Sequence, residues 1–412
     1  DSLLSPARAP GSRPPFRGRA MNWCLKGAAL VAIAALLLEF VTDDSPGQGG
    51  GGASIAGTAG MVTGLLRLLL PGSSASKNAI CSKLGAFIFS TPEHERGGWQ
   101  RQAARLGGFT LAARAMRNNL HDPDLCRECA MFFCAMANFN RDTSLIAGQS
   151  DGPAVLIEAM KRHPSHSRLQ AQGAASLGCW NDWTPETEEK VAALGGPEAI
   201  LNALRSFPAD AHVQFLGWAG LSSNSNRQDS KRKVIKAGAI DTGMHLMRDP
   251  VLRKGFRVRQ EILMTFTNLA ANCNDCATDI MGTGDIIQQT IEAMEEEVPE
   301  AERGTKTDGI QLMMELARNN KTSRAAILEA GFLPHALEGM TAFPKRHPQD
   351  AWPLVDFGLQ LLQSLAEDNK EAQAMMVKAG AKEVVQMVMQ AEPSLPDRQS
   401  RGRYLVSILE GR

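Results

Sequence analysis

Apolar residues in this chain recur in blocks that return every 43 to 49 residues. Each block holds an apolar stretch, a small Ala-Gly hinge and a second apolar stretch, seen most clearly from Val234 through Gly238 to Met247. The same order returns in three further blocks, which run from Val191 to Leu204, from Ile327 to Met340 and from Met376 to Met389. A period of roughly 20–50 residues is typical of solenoids and related arrays.

The hinge can be followed through eight blocks. Its positions are Ala59, Gly107, Asp151, Gly195, Gly238, Gly284, Gly331 and Gly380, with spacings of 48, 44, 44, 43, 46, 47 and 49 residues. The residues four before and nine after each hinge are apolar throughout, as at Val234 and Met247. Glycine lets one helix end and another begin at a sharp angle. The pattern therefore predicts two helices joined by a hinge.

A third apolar segment of helical periodicity follows each block. We expect these third helices at 79–90, 126–139, 168–180, 211–223, 257–271, 307–318, 353–366 and 401–410. No two-residue alternation is long enough to predict a sheet. Because one such unit cannot bury its apolar face alone, the units must stack. The sequence predicts an all-α fold.

The period, the three helices and the boundary from Val234 to Ile240 (apolar-x-x-Ala-Gly-Ala-Ile) resemble the armadillo repeat. A second mark is Asn268-Leu269-Ala270, followed by a polar, Asn-rich turn that reaches Asn274. The resemblance covers roughly residues 55 to 410. It implies an armadillo-like right-handed α-solenoid of about eight three-helix repeats.

The N-terminal segments differ from the repeats. Residues 1–20 are rich in Pro, Arg and Ser, and we expect a disordered leader. Residues 21–54 leave two interpretations open: a first repeat helix near Ala28–Phe40, or a signal-type segment with the apolar run Gly27–Val41, in either case followed by the Gly-rich linker Gly47–Gly52. Residues 55–412 form the expected repeat domain.

Composition narrows the classes of ligand and activity to be expected. Lys+Arg and Asp+Glu both number 44, so net charge gives no reason to expect nucleic acid as a ligand. The eight cysteines show no secreted disulfide spacing and predict reduced, buried thiols in a cytoplasmic protein. The pairs Cys126/Cys129 and Cys273/Cys276 lie about 147 residues apart on different repeats, which argues against a shared metal site. No catalytic constellation stands out, so neither catalysis nor a cofactor is expected.

The resemblance also implies a place for binding. In armadillo-like solenoids the third helices line a concave groove that holds an extended peptide, and an amide side chain can both donate to and accept from a peptide unit. The sequence alignment of the third helices gives an inner set of positions: Ala135, Ser176, Gly220, Asn268, Glu315 and Ser364. One turn earlier lies an outer set: Met131, Gln172, Leu216, Met264, Gln311 and Gln360. The expected groove residues are Gln172, Ser176, Met264, Asn268, Gln311, Glu315, Gln360 and Ser364.

Only Asn268 matches the residue that the family places at the inner position. Nuclear-import receptors place Trp four residues before that Asn, but Trp180, Trp183 and Trp218 are out of this register. We therefore do not expect recognition of basic localisation peptides, and we expect Trp180 and Trp218 in the core or at its rim.

These observations predict a non-catalytic scaffold that binds a peptide segment of a partner protein along the groove. Two alternatives remain: a membrane-associated or secretory-pathway adaptor, if residues 21–42 are a targeting segment, or a regulatory region of a larger protein. Membrane association and oligomeric state stay open.

Overall fold

The computed structural model describes residues 52–180, 185–252, 256–295, 302–318, 320–346, 352–391 and 393–411. Within these ranges the chain forms 23 α-helices and no strand. The expected leader (1–20) and all but the last three residues of the 21–54 segment lie outside the described residues. The chain divides into two units, residues 1–71 and 72–412. The first unit contributes one described helix, α1 (Gly52–Leu69).

The second unit repeats a three-helix pattern. Its third helices are α2 (Ser74–Ser90), α5 (Pro123–Ala137), α8 (Ser167–Cys179), α11 (Ala211–Ser223), α14 (Phe256–Ala270), α17 (Glu302–Ala317), α20 (Trp352–Ala366) and α23 (Pro396–Leu409). The first helices are α3 (Glu93–Arg105), α6 (Arg141–Gln149), α9 (Pro185–Ala193), α12 (Gln228–Lys236), α15 (Asn274–Met281), α18 (Lys321–Glu329) and α21 (Lys370–Lys378). The second helices are α4 (Gly108–Arg117), α7 (Gly152–Arg162), α10 (Gly196–Ser206), α13 (Ala239–Arg248), α16 (Ile286–Glu295), α19 (Phe332–Arg346) and α22 (Ala381–Ala391).

Seven complete triplets follow α2, in agreement with about eight repeats. The expected third helix at 211–223 coincides with α11, whereas α2, α17 and α23 begin five residues earlier than expected. Their first turns carry polar residues, so the apolar pattern starts only after the helix has begun. Polar caps and proline at the first helical position, as at Pro396, set these starts instead.

Glycine occupies most of the hinge positions. Gly107, Gly195, Gly238, Gly284, Gly331 and Gly380 have φ between 76° and 94°, a left-handed conformation that other residues rarely adopt. Asp151 instead has φ −76°, and the break there falls at the extended residue Ser150 (ψ 174°). The hinge expected at Ala59 is wrong. Ala59 lies inside α1, because alanine favours the continuing helix.

The core follows the repeated apolar positions. In the second unit, all seven residues four positions before a hinge are 0% exposed: Ala103, Ala147, Val191, Val234, Ile280, Ile327 and Met376. The third helices pack on one another in an unbroken series from α2 to α23. This series places equivalent positions of successive third helices side by side.

Candidate functional site

The third helices present a continuous face, here called the third-helix face. Its outer row consists of one half-exposed residue on each of six successive helices: Met131, Gln172, Leu216, Met264, Gln311 and Gln360. Its inner row, one turn later, is mostly buried: Ala135, Ser176, Gly220 and Glu315 are buried, while Asn268 and Ser364 are half-exposed. The outer row is therefore the part of this face that a ligand can reach.

Burial of the inner row reflects close approach of neighbouring helices. The backbones of α8 and α11 are so close that a Cβ added at Gly220 would lie 2.5 Å from the carbonyl oxygen of Ala174. A Cβ added at Gly178 would lie 2.9 Å from the Cα of Gly220. Contacts below 3 Å leave no room for a side chain, so this pair of glycines sets the spacing of the two helices.

Ser176 serves the same packing. Its hydroxyl donates to the backbone oxygen of Ala130 at 2.7 Å and to that of Gln172 at 2.8 Å. The first of these hydrogen bonds joins α8 to α5. Ser176 is 0% exposed. The structure thus gives this expected groove residue an inter-repeat contact.

Asn268 likewise has partners within the chain. Its Nδ2 donates to the hydroxyl oxygen of Ser222 at 2.9 Å and to the backbone oxygen of Ser222 at 3.2 Å, which joins α14 to α11. The residue that carries the family resemblance therefore stabilises the stack, and its amide nitrogen already has two partners within the chain.

The outer-row amides are less engaged. Gln172 donates to the hydroxyl of Ser176 at 3.5 Å, and Gln360 donates to the backbone oxygen of Asp356 at 3.3 Å. Both distances are long for N–H···O hydrogen bonds. Gln311 makes no hydrogen bond within the described ranges. These amides can turn towards a ligand at little cost.

One buried and one partly buried carboxyl group, those of Glu261 and Asp308, flank the outer row where α14 packs against α17. Burial raises the pKa of Glu261 to about 7, although Arg257 opposes the shift. Burial and the neighbouring Glu261 raise the pKa of Asp308 to about 7, opposed by a hydrogen bond from Gln260. Each carboxyl keeps one buried oxygen without a hydrogen-bond partner. This pair was not predicted from the sequence, although both acids interrupt the apolar face of their helices.

Glu315 is a further buried acid on this face. It is 8% exposed and lies 3.3 Å from the guanidinium of Arg318. Burial raises its pKa, while Arg318 and Lys231 lower it. Its charge is thus partly neutralised by the protein itself.

A recurring Gln-x-x-Gly pattern, also missed from sequence, locks second helices to third helices. Gln170, Gln214 and Gln399 each donate from Nε2 to the C-terminal carbonyls of the preceding second helix, at Met160, Leu204 and Met389. Three residues later, Gly173, Gly217 and Gly402 leave space for the side chains of those same three residues. The signal is visible in the sequence as three copies with matching offsets.

Two of the tryptophans lie in the core, as expected. Trp180 and Trp218 are both 0% exposed. Trp180 meets Phe133 edge-on at 5.6 Å between ring centroids, and Trp218 meets Phe266 edge-on at 6.4 Å. Neither ring is open to a ligand.

Four cysteines differ from the expectation of reduced thiols, whereas Cys81, Cys126 and Cys129 are free and buried as expected. Cys134 and Cys179 form a disulfide between α5 and α8, and Cys273 forms a second one with Cys276 at the start of α15. Cys134 and Cys179 are 45 residues apart, close to one repeat period, so stacking places them side by side. This spacing could have been recognised once the period was known.

The described ranges contain neither a metal-binding cluster nor a membrane-spanning helix. No group of three or more His, Cys, Asp or Glu side chains is arranged to hold a metal ion there. Among the helices of these ranges, none combines the length and apolar character needed to cross a membrane.

Comparison with known proteins shows the fold. No family model and no curated protein sequence matches the chain. An engineered protein of known structure superposes with a TM-score of 0.63 at 15% identity, covering 93% of this chain and 90% of its own. A designed armadillo repeat protein in complex with the peptide (KR)4 gives a TM-score of 0.51 at 14% identity over 62% of this chain and 98% of its own. The fold is that of armadillo repeats.

A natural protein structure supports the same fold. A chain from a structure on the cadherin–beta-catenin interaction and its phosphorylation switch matches with a TM-score of 0.56 at 17% identity. The match covers 90% of this chain and 67% of the other. The armadillo fold thus extends over most of the sequence, as the repeat pattern predicts.

Proposed function

We propose that this chain is a non-catalytic scaffold that binds an extended peptide segment of a partner protein along the outer row of the third-helix face. The observation that carries the proposal is the continuity of this row. Six successive third helices each present one half-exposed residue at the same register, and the residues are three glutamines, two methionines and one leucine. Such a row offers repeated, similar contacts to an elongated ligand.

The chemistry of the row favours backbone recognition supported by apolar contact. Gln172, Gln311 and Gln360 each offer a donor and an acceptor to a peptide unit. Met131 and Met264 supply flexible, polarisable surface that adapts to different side chains. Because no outer-row residue is charged, binding should depend on salt less than binding to a charged groove.

The structural neighbours support a peptide ligand. The designed armadillo protein is described in complex with the peptide (KR)4, and the natural neighbour comes from work on the interaction between cadherin and beta-catenin. In this chain the inner-row residues Ser176 and Asn268 act as supports for the helix stack, and Glu315 and Ser364 border the ligand path. We assign direct contact to the outer row.

A peptide-display selection with the full chain tests the proposal. Peptides enriched on the wild type are measured against a variant with Gln311→Ala and Gln360→Ala. The matched control carries Gln288→Ala and Gln386→Ala, which remove two exposed glutamines from the second helices α16 and α22. We expect at least about tenfold weaker binding for the outer-row variant, corresponding to about 1.4 kcal/mol, and unchanged binding for the control.

Two results would refute it: no peptide enriched over an uncoated surface, or equal loss in both variants. Titration at low and high salt adds a second readout, with little change expected in the dissociation constant.

The disulfides bear on the compartment in which this scaffold works. Reducing compartments keep thiols reduced, so Cys134–Cys179 and Cys273–Cys276 favour an oxidising environment over the cytoplasm expected from cysteine spacing. This supports the secretory-pathway adaptor as the second candidate. Cell fractionation followed by alkylation of free thiols decides between them: a cytoplasmic chain with reduced Cys134 and Cys179 would exclude the secretory assignment.

A further inference from the structure

A second pair of cysteines, both free thiols in the structure, also lies between successive third helices, one helix pair before the Cys134–Cys179 disulfide. Cys81 on α2 and Cys129 on α5 lie 2.8 Å apart between their sulfur atoms. Both are 0% exposed. They are 48 residues apart, within the 43 to 49 residues that separate successive hinges from Gly107 to Gly380. The pair therefore joins equivalent faces of successive third helices.

Close packing of α2 on α5 brings these sulfurs together. One turn after Cys81, a Cβ added at Gly85 would lie 3.4 Å from the Cα of Phe132. The two helix backbones are thus separated by little more than one methyl group at this point. Cys129 contacts α2 through Cys81, whereas Cys134, further along α5, is bonded to Cys179 of α8.

We propose that Cys81 and Cys129 are a disulfide site, so that the third helices α2, α5 and α8 are covalently linked in series through Cys81–Cys129 and Cys134–Cys179. The proposal is independent of peptide binding. It adds a cross-link at the N-terminal end of the third-helix face, where the distance between helices is fixed by small residues.

The oxidation proceeds by thiol–disulfide exchange with a small-molecule or protein disulfide. One thiolate of the pair attacks a sulfur of the donor disulfide, and the donor's other sulfur leaves as a thiolate. The second thiolate of the pair then displaces the remaining donor half. Two electrons pass from the pair to the donor, and the two thiol protons are released, so one disulfide forms and one is reduced.

Burial determines when this reaction takes place. Burial raises the pKa of the Cys129 thiol, with the hydrogen-bonded Cys81 adding to the rise. A buried thiol with a raised pKa is a poor nucleophile. The cross-link therefore forms during folding, before α2 covers α5, and the closed helix pair afterwards shields it from reductants.

The test refolds the reduced, full-length chain in a buffer with reduced and oxidised glutathione. Free thiols are then alkylated under denaturing conditions, and the unreduced chain is digested and analysed by mass spectrometry. We expect one cross-linked product joining the peptides that contain Cys81 and Cys129, with Cys126 alkylated. Alkylation of Cys81 and Cys129 in a sample whose Cys134–Cys179 bond has formed would overturn the proposal, as would a Cys81–Cys126 product.

Two variants separate the cross-link from general effects on folding. Cys126→Ser removes a buried thiol on the same helix that has no disulfide in the structure, and should keep the Cys81–Cys129 product. Cys81→Ser should abolish that product while keeping Cys134–Cys179. The two proteins are also unfolded with denaturant in the presence and absence of a phosphine reductant. The reductant should lower the denaturant midpoint of the wild type more than that of Cys81→Ser. An equal fall in both would contradict the proposal.

Discussion

The two halves of the third-helix series hold together by different chemistry. From α2 to α11 small and sulfur-containing residues make the closest contacts, at the disulfide Cys134–Cys179 and the glycine pair Gly178 and Gly220, and the Ser176 hydrogen bond adds to them. From α14 to α23 the helices also pack through apolar side chains, and buried polar groups add contacts between helices. Asn268 bonds to Ser222, and the buried guanidinium of Arg398 meets Asp356 at 2.9 Å. One repeat geometry is thus compatible with a half that depends most on close backbone packing and a half that adds more buried polar contacts.

This difference indicates which changes should destabilise each half of the helix stack. Close packing fails when a side chain is added, because neighbouring backbones cannot move apart at one point alone. Polar contacts fail when protonation changes or when a partner is removed. Added side-chain volume should therefore destabilise the N-terminal half. The stability of the C-terminal half should instead depend on pH and on its amide side chains.

Gly220→Ala should have the largest effect. The added methyl group would lie 2.5 Å from the Ala174 carbonyl oxygen, and overpacking against backbone costs about 3 kcal/mol. Denaturant unfolding measures the change. Gly98→Ala in α3 is the matched control: nothing lies within 4 Å of the added Cβ, so it should stabilise by about 0.5–1 kcal/mol. Equal effects of the two substitutions would contradict the close-packed description.

The carboxyl pair predicts a stability that falls as pH rises. Glu261 and Asp308 have folded-state pKa values of about 7, against ordinary values of 4.5 and 3.8. The folded state therefore retains protons that the unfolded state releases. Their contribution is complete below about pH 4, declines as pH rises towards 7 and is flat above it.

Glu261→Gln removes one of these ionisable groups. At pH 7.5 the variant should be more stable than the wild type by roughly 2 kcal/mol, and its stability should change less between pH 4 and 7. Urea unfolding at several pH values checks this. A wild type whose stability rises over that interval while the variant's does not would contradict a pKa raised by burial.

Asn268→Ala should destabilise by about 1 kcal/mol, because it leaves the Ser222 groups without their donor. Gln311→Ala should change stability by less than about 0.5 kcal/mol, because its amide has no hydrogen bond within the described ranges. Thermal unfolding of the two variants tests the distinction between inner and outer rows. A larger loss from Gln311→Ala would reverse their assignment.

Much of the fold follows from the sequence, for a clear physical reason. A left-handed hinge needs glycine, and a buried helix face needs apolar residues at fixed offsets, so Gly238, Val234 and Met247 reveal the unit directly. The hinge prediction failed at Ala59 because alanine fits a continuous helix and therefore does not mark a hinge. Helix starts such as Pro396 were missed because polar first turns carry no apolar signal.

The candidate site was predicted less completely. Alignment of the third helices identified positions 172, 311 and 360 on the outer row, since register follows from the period. It could not show that Asn268 binds Ser222, because that contact depends on the side chain one repeat away. Glu261 and Asp308 were not predicted for the same reason. Neither acid stands out in the sequence, and the two become neighbours only when α14 packs against α17.

Site-specific photocrosslinking tests the central assignment most directly. Benzoylphenylalanine is placed at Gln311 on the outer row or at Gln288 on the second helix α16, and each chain is irradiated with a display-selected peptide. We predict covalent capture from position 311, competed by unlabelled peptide, and none from position 288. Capture from position 288 alone would contradict binding along the third-helix face.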